Sequence, residues 1–176
     1  GFVYPTYYNR VTRINASGVL IGSETNVGTA RVGLAGAGLG TTGVFYGGTT
    51  NPTMYNRVTR INVSGVLIGS ETNVGTARYN SAGVGLGTTG VFYAGYILGV
   101  SNKVTRINAS GVLIGSETNV GTARVGLAGA GLGTTGVFYG GTTNPTMYNR
   151  VTRINVSGVL IGSETNVGTA RYNSAG

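Results

Sequence analysis

The feature that most constrains this chain is that it repeats itself. Residues 11–83 return letter for letter as residues 104–176. A shorter period of 46 or 47 residues lies inside this repeat, because the phrase N-[RK]-V-T-R-I-N-[AV]-S-G-V-L-I-G-S-E-T-N-V-G-T-A-R occurs four times. The four copies alternate in an A-B-A-B pattern and begin near Asn9, Asn56, Asn102 and Asn149. A fixed period of this length is typical of solenoid turns or propeller blades, in which each repeat packs mainly against its neighbours.

Composition and local sequence favour β-strands over helices. The chain has 34 glycines and only 9% charged residues, so it lacks the composition of a disordered segment. The glycines do not recur at every third position, which places them in turns and where backbones approach closely. The segments between them are short and β-branched or aromatic, without helical spacing of apolar residues. We therefore predict a single all-β domain over residues 1–176, with almost no helix.

The second repeat shows how four strands fill one period. Its alternating or apolar segments predict strand one at Ala30–Gly40, strand two at Val44–Tyr46 and strand three at Arg57–Ile61. After a turn at Asn62–Gly65, strand four is predicted to start with Gly65–Ile68 and to run out near Gly69-Ser70-Glu71. A four-stranded unit of this length has the size of a propeller blade.

The repeat resembles a kelch motif. In that family an arginine opens the innermost strand, and a hydrophobic run then ends in a double glycine. Here Arg31 or Arg124 is followed by Phe45–Gly48 or Phe138–Gly141, and then by the Asn-x-Val of strand three. The chain departs from the motif because it has no Trp and because Ala94-Gly95 replaces one double glycine. The resemblance implies a β-propeller of four-stranded antiparallel blades. Kelch-like propellers are mostly protein-binding scaffolds, with a minority of enzymes.

Four repeats predict four blades per chain, and two closures are open. The chain forms either a closed four-bladed ring or half of an eight-bladed ring made by two chains. The N-terminal Gly1–Tyr4 reads as a strand-two phrase, and Ala170–Gly176 begins a strand one. The N-terminal end therefore supplies a second strand and the C-terminal end the start of a first strand, which together belong to one blade. This favours a homodimer formed by strand complementation of the chain ends.

The residue inventory argues against catalysis and cofactor binding. The chain has no Cys, His or Asp, which removes disulfides, thiol and imidazole chemistry and the usual zinc ligands. The segment Gly38-Leu-Gly40-Thr-Thr-Gly43 fits a dinucleotide fingerprint, but no helix is predicted after it. A glycine-rich hairpin is the simpler interpretation. No catalytic, cofactor-binding or metal-binding residue is predicted.

Four sequons have an ordinary structural explanation. Each Asn-x-Ser precedes a glycine between two strands, where Asn and Ser bond their own backbone. We therefore interpret them as turns and not as glycosylation sites; their asparagines are Asn15, Asn62, Asn108 and Asn155.

The net charge of +8 is also a product of the repetition, because each repeat carries three basic residues and one glutamate. The basic residues lie singly within strands, so no nucleic-acid partner is expected. One carboxylate per repeat does not form the facing pair of a glycosidase. We predict equivalent Glu–Arg pairs that serve structure, for example Glu24 with Arg31 or with an arginine of the next blade.

Tyrosines are the best candidates for recognition, since a phenol combines stacking area with a polar tip. Strand-two tyrosines such as Tyr46 are expected to pack between blades. Loop tyrosines such as Tyr55 and Tyr148 are expected at a rim. No stretch reaches the ~18 apolar residues of a membrane helix, so no membrane partner is expected.

Such faithful copying favours a designed or recently amplified repeat protein, because natural divergence erases identity between copies. The first hypothesis is a structural, self-assembling scaffold without catalytic activity. The alternative is a multivalent binding module, such as a lectin or a phage receptor-binding propeller, whose identical sites for a glycan or protein ligand gain by avidity. A propeller-type hydrolase is disfavoured by the missing His, Asp and Cys.

Overall fold

The chain is built of β-strands. The computed structural model describes residues 2–3 and 6–173, and no helix occurs among them. The predicted all-β class is therefore confirmed. The strands are β1 (Phe2–Val3), β2 (Thr6–Tyr7), β3 (Arg10–Val11), β4 (Thr25–Asn26), β5 (Val32–Leu39), β6 (Thr42–Thr49), β7 (Arg57–Asn62), β8 (Thr72–Asn73), β9 (Ala82–Leu86), β10 (Thr89–Tyr93), β11 (Lys103–Asn108), β12 (Thr118–Asn119), β13 (Val125–Leu132), β14 (Thr135–Thr142), β15 (Arg150–Asn155) and β16 (Thr165–Asn166).

Three repeats form four-stranded antiparallel sheets in which each strand lies beside the next one along the chain. Sheet I consists of β5 to β8, sheet II of β9 to β12 and sheet III of β13 to β16. The part of the chain before sheet I differs, because its described residues form only the two-stranded β3–β4 pair, preceded by the β1–β2 hairpin. Among the described residues the predicted four-stranded unit is thus present in three copies, and not in four.

The predicted positions of strands one to three agree with β5, β6 and β7, but the predicted strand four is wrong. Within Gly65–Ile68 only Leu67 forms a bridge, to Ile61, and β8 lies further along the chain. In the preceding turn the Oδ1 atom of Asn62 accepts backbone hydrogen bonds from Ser64 and Val66. The pairing with β7 shifts register between the Leu67–Ile61 bridge and β8, where Thr72 lies opposite Val58.

The first strands of successive sheets lie very close together. A Cβ atom added to Gly83 would lie 2.6 Å from the carbonyl oxygen of Gly36 in sheet I. A Cβ at Gly131 would lie 2.7 Å from the carbonyl oxygen of Gly85. Real Cβ atoms essentially never show such distances. The glycine-rich first strands therefore allow the backbone of β9 to approach those of β5 and β13.

The core lies between neighbouring sheets. In sheet I, Val44, Tyr46 and Val58 form what we call its trailing face, and they pack against Phe92 and Ile107 of sheet II. The Phe and Ile of each sheet form its leading face. The trailing face of sheet II meets the leading face of sheet III in the same way. The β3–β4 pair precedes sheet I, and the Thr25 hydroxyl donates to the Gly65 carbonyl at 3.0 Å.

The beginning of the chain does not act as a second strand over its described part. Phe2 pairs with Tyr7 and Val3 with Thr6, so β1 and β2 form a local hairpin. Counting back from Asn9 and from Asn56, Phe2 corresponds to Thr49, which bridges to Met54 in the loop after β6. The β1–β2 hairpin thus corresponds to the end of strand two and the loop that follows it. Residues 1, 4–5 and 174–176 lie outside the described residues, so the rest of the expected end-to-end complementation stays a prediction.

Candidate functional site

A fully buried arginine precedes the first strand of each four-stranded sheet. Arg31, Arg78 and Arg124 are at most 1% exposed. Burying a charged guanidinium without hydrogen-bond or ion-pair partners costs on the order of several kcal/mol. Their partners therefore define the most constrained polar site in the molecule.

The guanidinium of Arg31 spans its own sheet. Its Nε donates to the carbonyl oxygen of Gly47 at 2.6 Å, and its Nη2 donates to the Thr59 hydroxyl at 2.7 Å. Its Nη1 donates to Oε1 of Glu71 at 2.9 Å. One side chain thereby joins β6, β7 and the loop before β8 from its position before β5.

Glu71 is held as a carboxylate by several donors. It accepts from the backbone N–H of Thr29 at 3.1 Å and from the Thr29 hydroxyl at 2.7 Å. The Thr59 hydroxyl also donates to it, and Arg57 lies 3.5 Å away. Burial by itself would raise the pKa of Glu71, but the hydrogen bonds from Thr59, Thr29 and Arg31 lower this pKa to about 2.

The pairing of a buried arginine with a glutamate recurs in the other two sheets, and we call it the Arg–Glu junction. Arg78 differs from Arg31 in that it donates to the carbonyl of Phe92 and its Nε has no hydrogen-bond partner among the described residues. Arg78 lies 3.1 Å from Glu117, and Arg124 lies 3.3 Å from Glu164. In both glutamates burial is again outweighed, chiefly by threonine hydroxyl donors, so their pKa values are lowered. The expected pair of Glu24 with Arg31 is wrong. Arg31 reaches the glutamate 40 residues later because it enters the sheet that its own strand begins.

The junctions of sheets II and III also contact the sheet in front of them. The guanidinium of Arg78 lies 4.9 Å from the ring centre of Tyr46, a trailing-face residue of sheet I. The Tyr46 hydroxyl donates to the carbonyl of Thr76 at 2.5 Å, and its ring lies 5.4 Å from that of Phe92. Burial raises the pKa of the Tyr46 hydroxyl. The expected packing of strand-two tyrosines between repeats is therefore confirmed.

The first repeat holds half of a junction. Glu24 accepts hydrogen bonds from Arg10 at 3.2 Å and from Thr12 at 2.6 Å, which correspond to Arg57 and Thr59 of sheet I. Among the described residues no buried arginine contacts it. The Glu24 side chain is 38% exposed, against 14% for Glu71.

The last repeat ends in the other half. The Gly141 N–H donates to the carbonyl of Arg171 at 2.8 Å, as the Gly48 N–H does to Arg78. The Arg171 guanidinium lies 5.3 Å from the ring centre of Tyr139. Within residues 2–3 and 6–173 it has no carboxylate partner. Arg171 is thus positioned like the buried arginines but lacks their glutamate.

A groove of about 310 Å³ separates the β3–β4 pair from sheet I. Phe45 and Ile61, the leading face of sheet I, line it and are only half-buried, whereas Phe92 and Ile107 of sheet II are fully buried. In sheets II and III the corresponding space is filled by the trailing face of the preceding sheet. Its other lining residues include Arg10, Thr12, Val27 and Arg31.

A second depression, of about 430 Å³, lies among the loops. Tyr79 and Tyr96 line it with their ring centres 5.4 Å apart, and Leu98 beside them is 91% exposed. The loop tyrosines Tyr55 and Tyr148 instead lie against Arg57 and Arg150. This aromatic depression includes the loop residues Tyr96 to Leu98, which no motif in the sequence indicated.

The remaining sequence motifs have structural positions. The segment Gly38–Gly43 lies on the β5–β6 hairpin, where Gly40 has φ +61° in the two-residue turn and a strand follows. The sequon asparagines accept backbone hydrogen bonds in turns, as interpreted from the sequence. Over the described ranges no group of three or more side chains could hold a metal ion. No helix there has the length and apolar character needed to cross a membrane.

Comparison with known proteins leaves the family open. No protein-family model matches the chain, and no curated protein matches it significantly.

Proposed function

We propose that this chain is a structural, self-assembling repeat scaffold without catalytic activity. The observation that carries the proposal is the trailing face of sheet III, which the described residues cover less than those of sheets I and II. Its Val137, Tyr139 and Val151 are half-buried, whereas the same residues in sheets I and II are at most 1% exposed. Leu132 is 64% exposed, and its counterpart Leu39 is 4% exposed. The trailing faces of sheets I and II each pack against the leading face of the next sheet. The more exposed trailing face of sheet III therefore favours contact with a further copy of that leading face.

The Arg–Glu junctions support a structural role. Their carboxylates accept several hydrogen bonds each, and their arginines are enclosed. Such groups stabilise packing and are not free to exchange protons with a substrate. Three of the basic residues, Arg31, Arg78 and Arg124, are buried in these junctions and cannot contact phosphates at the surface. This also weakens the case for a nucleic-acid partner.

We further propose that the sheets are blades of a kelch-like β-propeller. The antiparallel order of strands and the stacking through first strands support this architecture. The motif residues of the resemblance also meet, since Arg31 donates to Gly47 of the double glycine. A Cβ at Gly48 would lie 3.0 Å from the Arg31 side chain, so the second glycine makes room for the arginine. The ring would hold four blades of one chain or eight blades of a homodimer, and we favour the homodimer.

Light scattering on a sizing column, over a range of concentrations, tests the scaffold proposal. We expect a species of about twice the 17.8 kDa chain mass. Tyr139→Glu should shift the equilibrium toward monomer, because it places a charge on the trailing face. Val63→Glu is the control, since Val63 is 72% exposed on a turn. A mass of 17.8 kDa at every concentration would contradict self-assembly.

The alternative is a binding module for glycan or protein ligands, and the aromatic depression with Tyr79 and Tyr96 favours it. Paired aromatic rings beside an exposed Leu98 offer stacking area of the kind used in recognition. Glycan-array binding that is lost in Tyr96→Ala would support this alternative. Unchanged binding in that variant, or no binding by the parent chain, would speak against it.

A further inference from the structure

We propose that the groove beside β3 is an acceptor site for a β-hairpin from another molecule that carries the same repeat. The hairpin consists of strands one and two of a repeat together with the arginine that precedes them. This inference rests on the self-assembly proposed above and names its receiving surface. The described hairpins β5–β6, β9–β10 and β13–β14 already lie in this chain's own sheets, so the donor is a hairpin of the same sequence that is not held in such a sheet.

The first argument is the unpaired edge of β3. Residues 10–15 and 57–62 have the same sequence, Arg-Val-Thr-Arg-Ile-Asn. In sheet I this sequence forms the six-residue strand β7, paired with β6 on one side and β8 on the other. In the first repeat only two residues form β3, and among the described strands β4 alone pairs with it. An open strand edge next to an apolar groove is suited to strand addition.

The second argument is the shape of the groove. In sheet I the second strand pairs Tyr46 with Val58 and places Tyr46 against Phe92 of the next sheet. The same contact in front of sheet I would cover Phe45, and it is here that the groove opens. Its volume of about 310 Å³ equals the share of about ten liquid water molecules. A donated strand two, with the pattern Val-x-Tyr, would fill this space.

The third argument is the incomplete junction at Glu24. This glutamate keeps the partners from its own repeat, Arg10 and Thr12, and within the described part of the chain no arginine takes the place of the one that precedes strand one in the complete junctions. At the opposite end, Arg171-Tyr172-Asn173 repeats the sequence Arg78-Tyr79-Asn80 that opens sheet II. A donated hairpin that begins with this arginine would complete the junction with Glu24.

These three features select one donor. A single strand two would satisfy β3 and the groove but would leave Glu24 as it is. A hairpin with the sequence of residues 78–95 supplies the arginine, the first strand and the second strand together. The rest of the site is already present in the β3–β4 pair and sheet I.

The direct test is binding of a labelled peptide with the sequence of residues 78–95 to the full chain, followed by fluorescence anisotropy. We expect one peptide per chain. The Arg78→Ala peptide should bind about tenfold more weakly or worse, since a charge-assisted hydrogen bond is lost. The Glu24→Gln chain should lose affinity for the parent peptide and show little change with the Arg78→Ala peptide. Equal losses for both peptides, or binding that equals that of a scrambled peptide, would overturn the proposal.

A second measurement avoids the need for a free peptide to fold. Residues 171–176 already repeat residues 78–83, so appending the sequence of residues 84–95 after Gly176 completes a donor hairpin. We expect this extended chain to associate more tightly and to melt at a higher temperature than the parent chain. Glu24→Gln and Arg171→Ala should each remove most of the gain. An extension without effect on either mass or melting temperature would overturn the acceptor site.

The two proposals fail in different ways. A parent chain that stays monomeric but binds the peptide through Glu24 would contradict self-assembly of this chain and support the acceptor site. A parent chain that dimerises, but binds no peptide and is indifferent to Glu24→Gln, would support the scaffold and refute the acceptor site.

Discussion

At the scale of single residues, the molecule depends on how a buried guanidinium is paired. Arg78 donates to Glu117 at 3.1 Å and to the carbonyl of Phe92 at 3.1 Å, and it lies against Tyr46. Its Nε is buried and has no hydrogen-bond partner among the described residues. The exposed pair of Arg10 and Glu24 uses the same residue types at a solvated position. The two sites therefore separate the effect of burial from the effect of charge.

We expect Arg78→Ala to lower the free energy of unfolding by about 3–5 kcal/mol, because it removes the fully buried cation that pairs with Glu117 and leaves this carboxylate only Lys103, 3.7 Å away. Arg10→Ala should change it by no more than about 1 kcal/mol, since an exposed pair is weak. Urea unfolding followed by tyrosine fluorescence measures both values. Similar losses in the two variants would contradict the structural role of the Arg–Glu junction.

The lowered pKa of Glu71 predicts acid sensitivity. The unfolded state takes up this proton near the ordinary pKa of 4.5, whereas the folded state takes it up only at about 2. The stabilisation is therefore present above pH 4.5 and is lost as the pH falls towards 2. Glu117 and Glu164 shift in the same direction and add to the effect.

Unfolding free energies measured from pH 7 to pH 2 should thus decline most steeply below about pH 4.5. In Glu71→Gln the protein should be less stable at pH 7, and the decline should be shallower because one of the contributing groups is gone. Parallel pH profiles for the parent and this variant would show that Glu71 does not carry the predicted linkage.

At the scale of elements, strand identity depends on neighbours as much as on sequence. The close approach of first strands requires glycine at particular positions, such as Gly83 beside the carbonyl of Gly36. Gly38 offers a matched comparison, because a Cβ there would meet nothing within 4 Å. Both glycines lie in first strands.

Gly83→Ala should lower the melting temperature, because overpacking between two backbones costs about 1–3 kcal/mol. Gly38→Ala should leave stability unchanged or raise it slightly, since alanine reduces the freedom of the unfolded chain. Thermal unfolding by circular dichroism distinguishes the two. An equal decrease in both variants would contradict a backbone contact between sheets I and II.

At the scale of the whole molecule, the place of a repeat in the array decides how deeply its residues are buried. Phe45 and Phe138 occupy the same position in identical local sequences. Phe138 lies behind sheet II and is fully buried, whereas Phe45 borders the groove and is half-buried. Sequence identity between repeats therefore does not imply equal energetic roles.

Phe138→Ala is expected to cost about 3–5 kcal/mol of unfolding free energy, the range for emptying a buried aromatic site. Phe45→Ala should cost distinctly less, because its side chain keeps part of its contact with water. Equilibrium denaturation at low protein concentration measures the pair. Equal costs would mean that the groove is closed in solution.

The sequence alone determined the all-β class, the length of the repeat and the turn at each Asn-x-Ser-Gly, because these follow from local preferences and from copying. It also predicted that strand-two tyrosines pack between repeats. Only the tertiary structure decided that Arg31 pairs with Glu71, that β3 is shorter than β7 despite an identical sequence, and that Glu24 is left half-paired. Each of these depends on a partner strand or sheet far along the chain. Because the sequence is repeated, every copy has the same possible partners in sequence. The position of a copy in the array decides which of these partners it contacts.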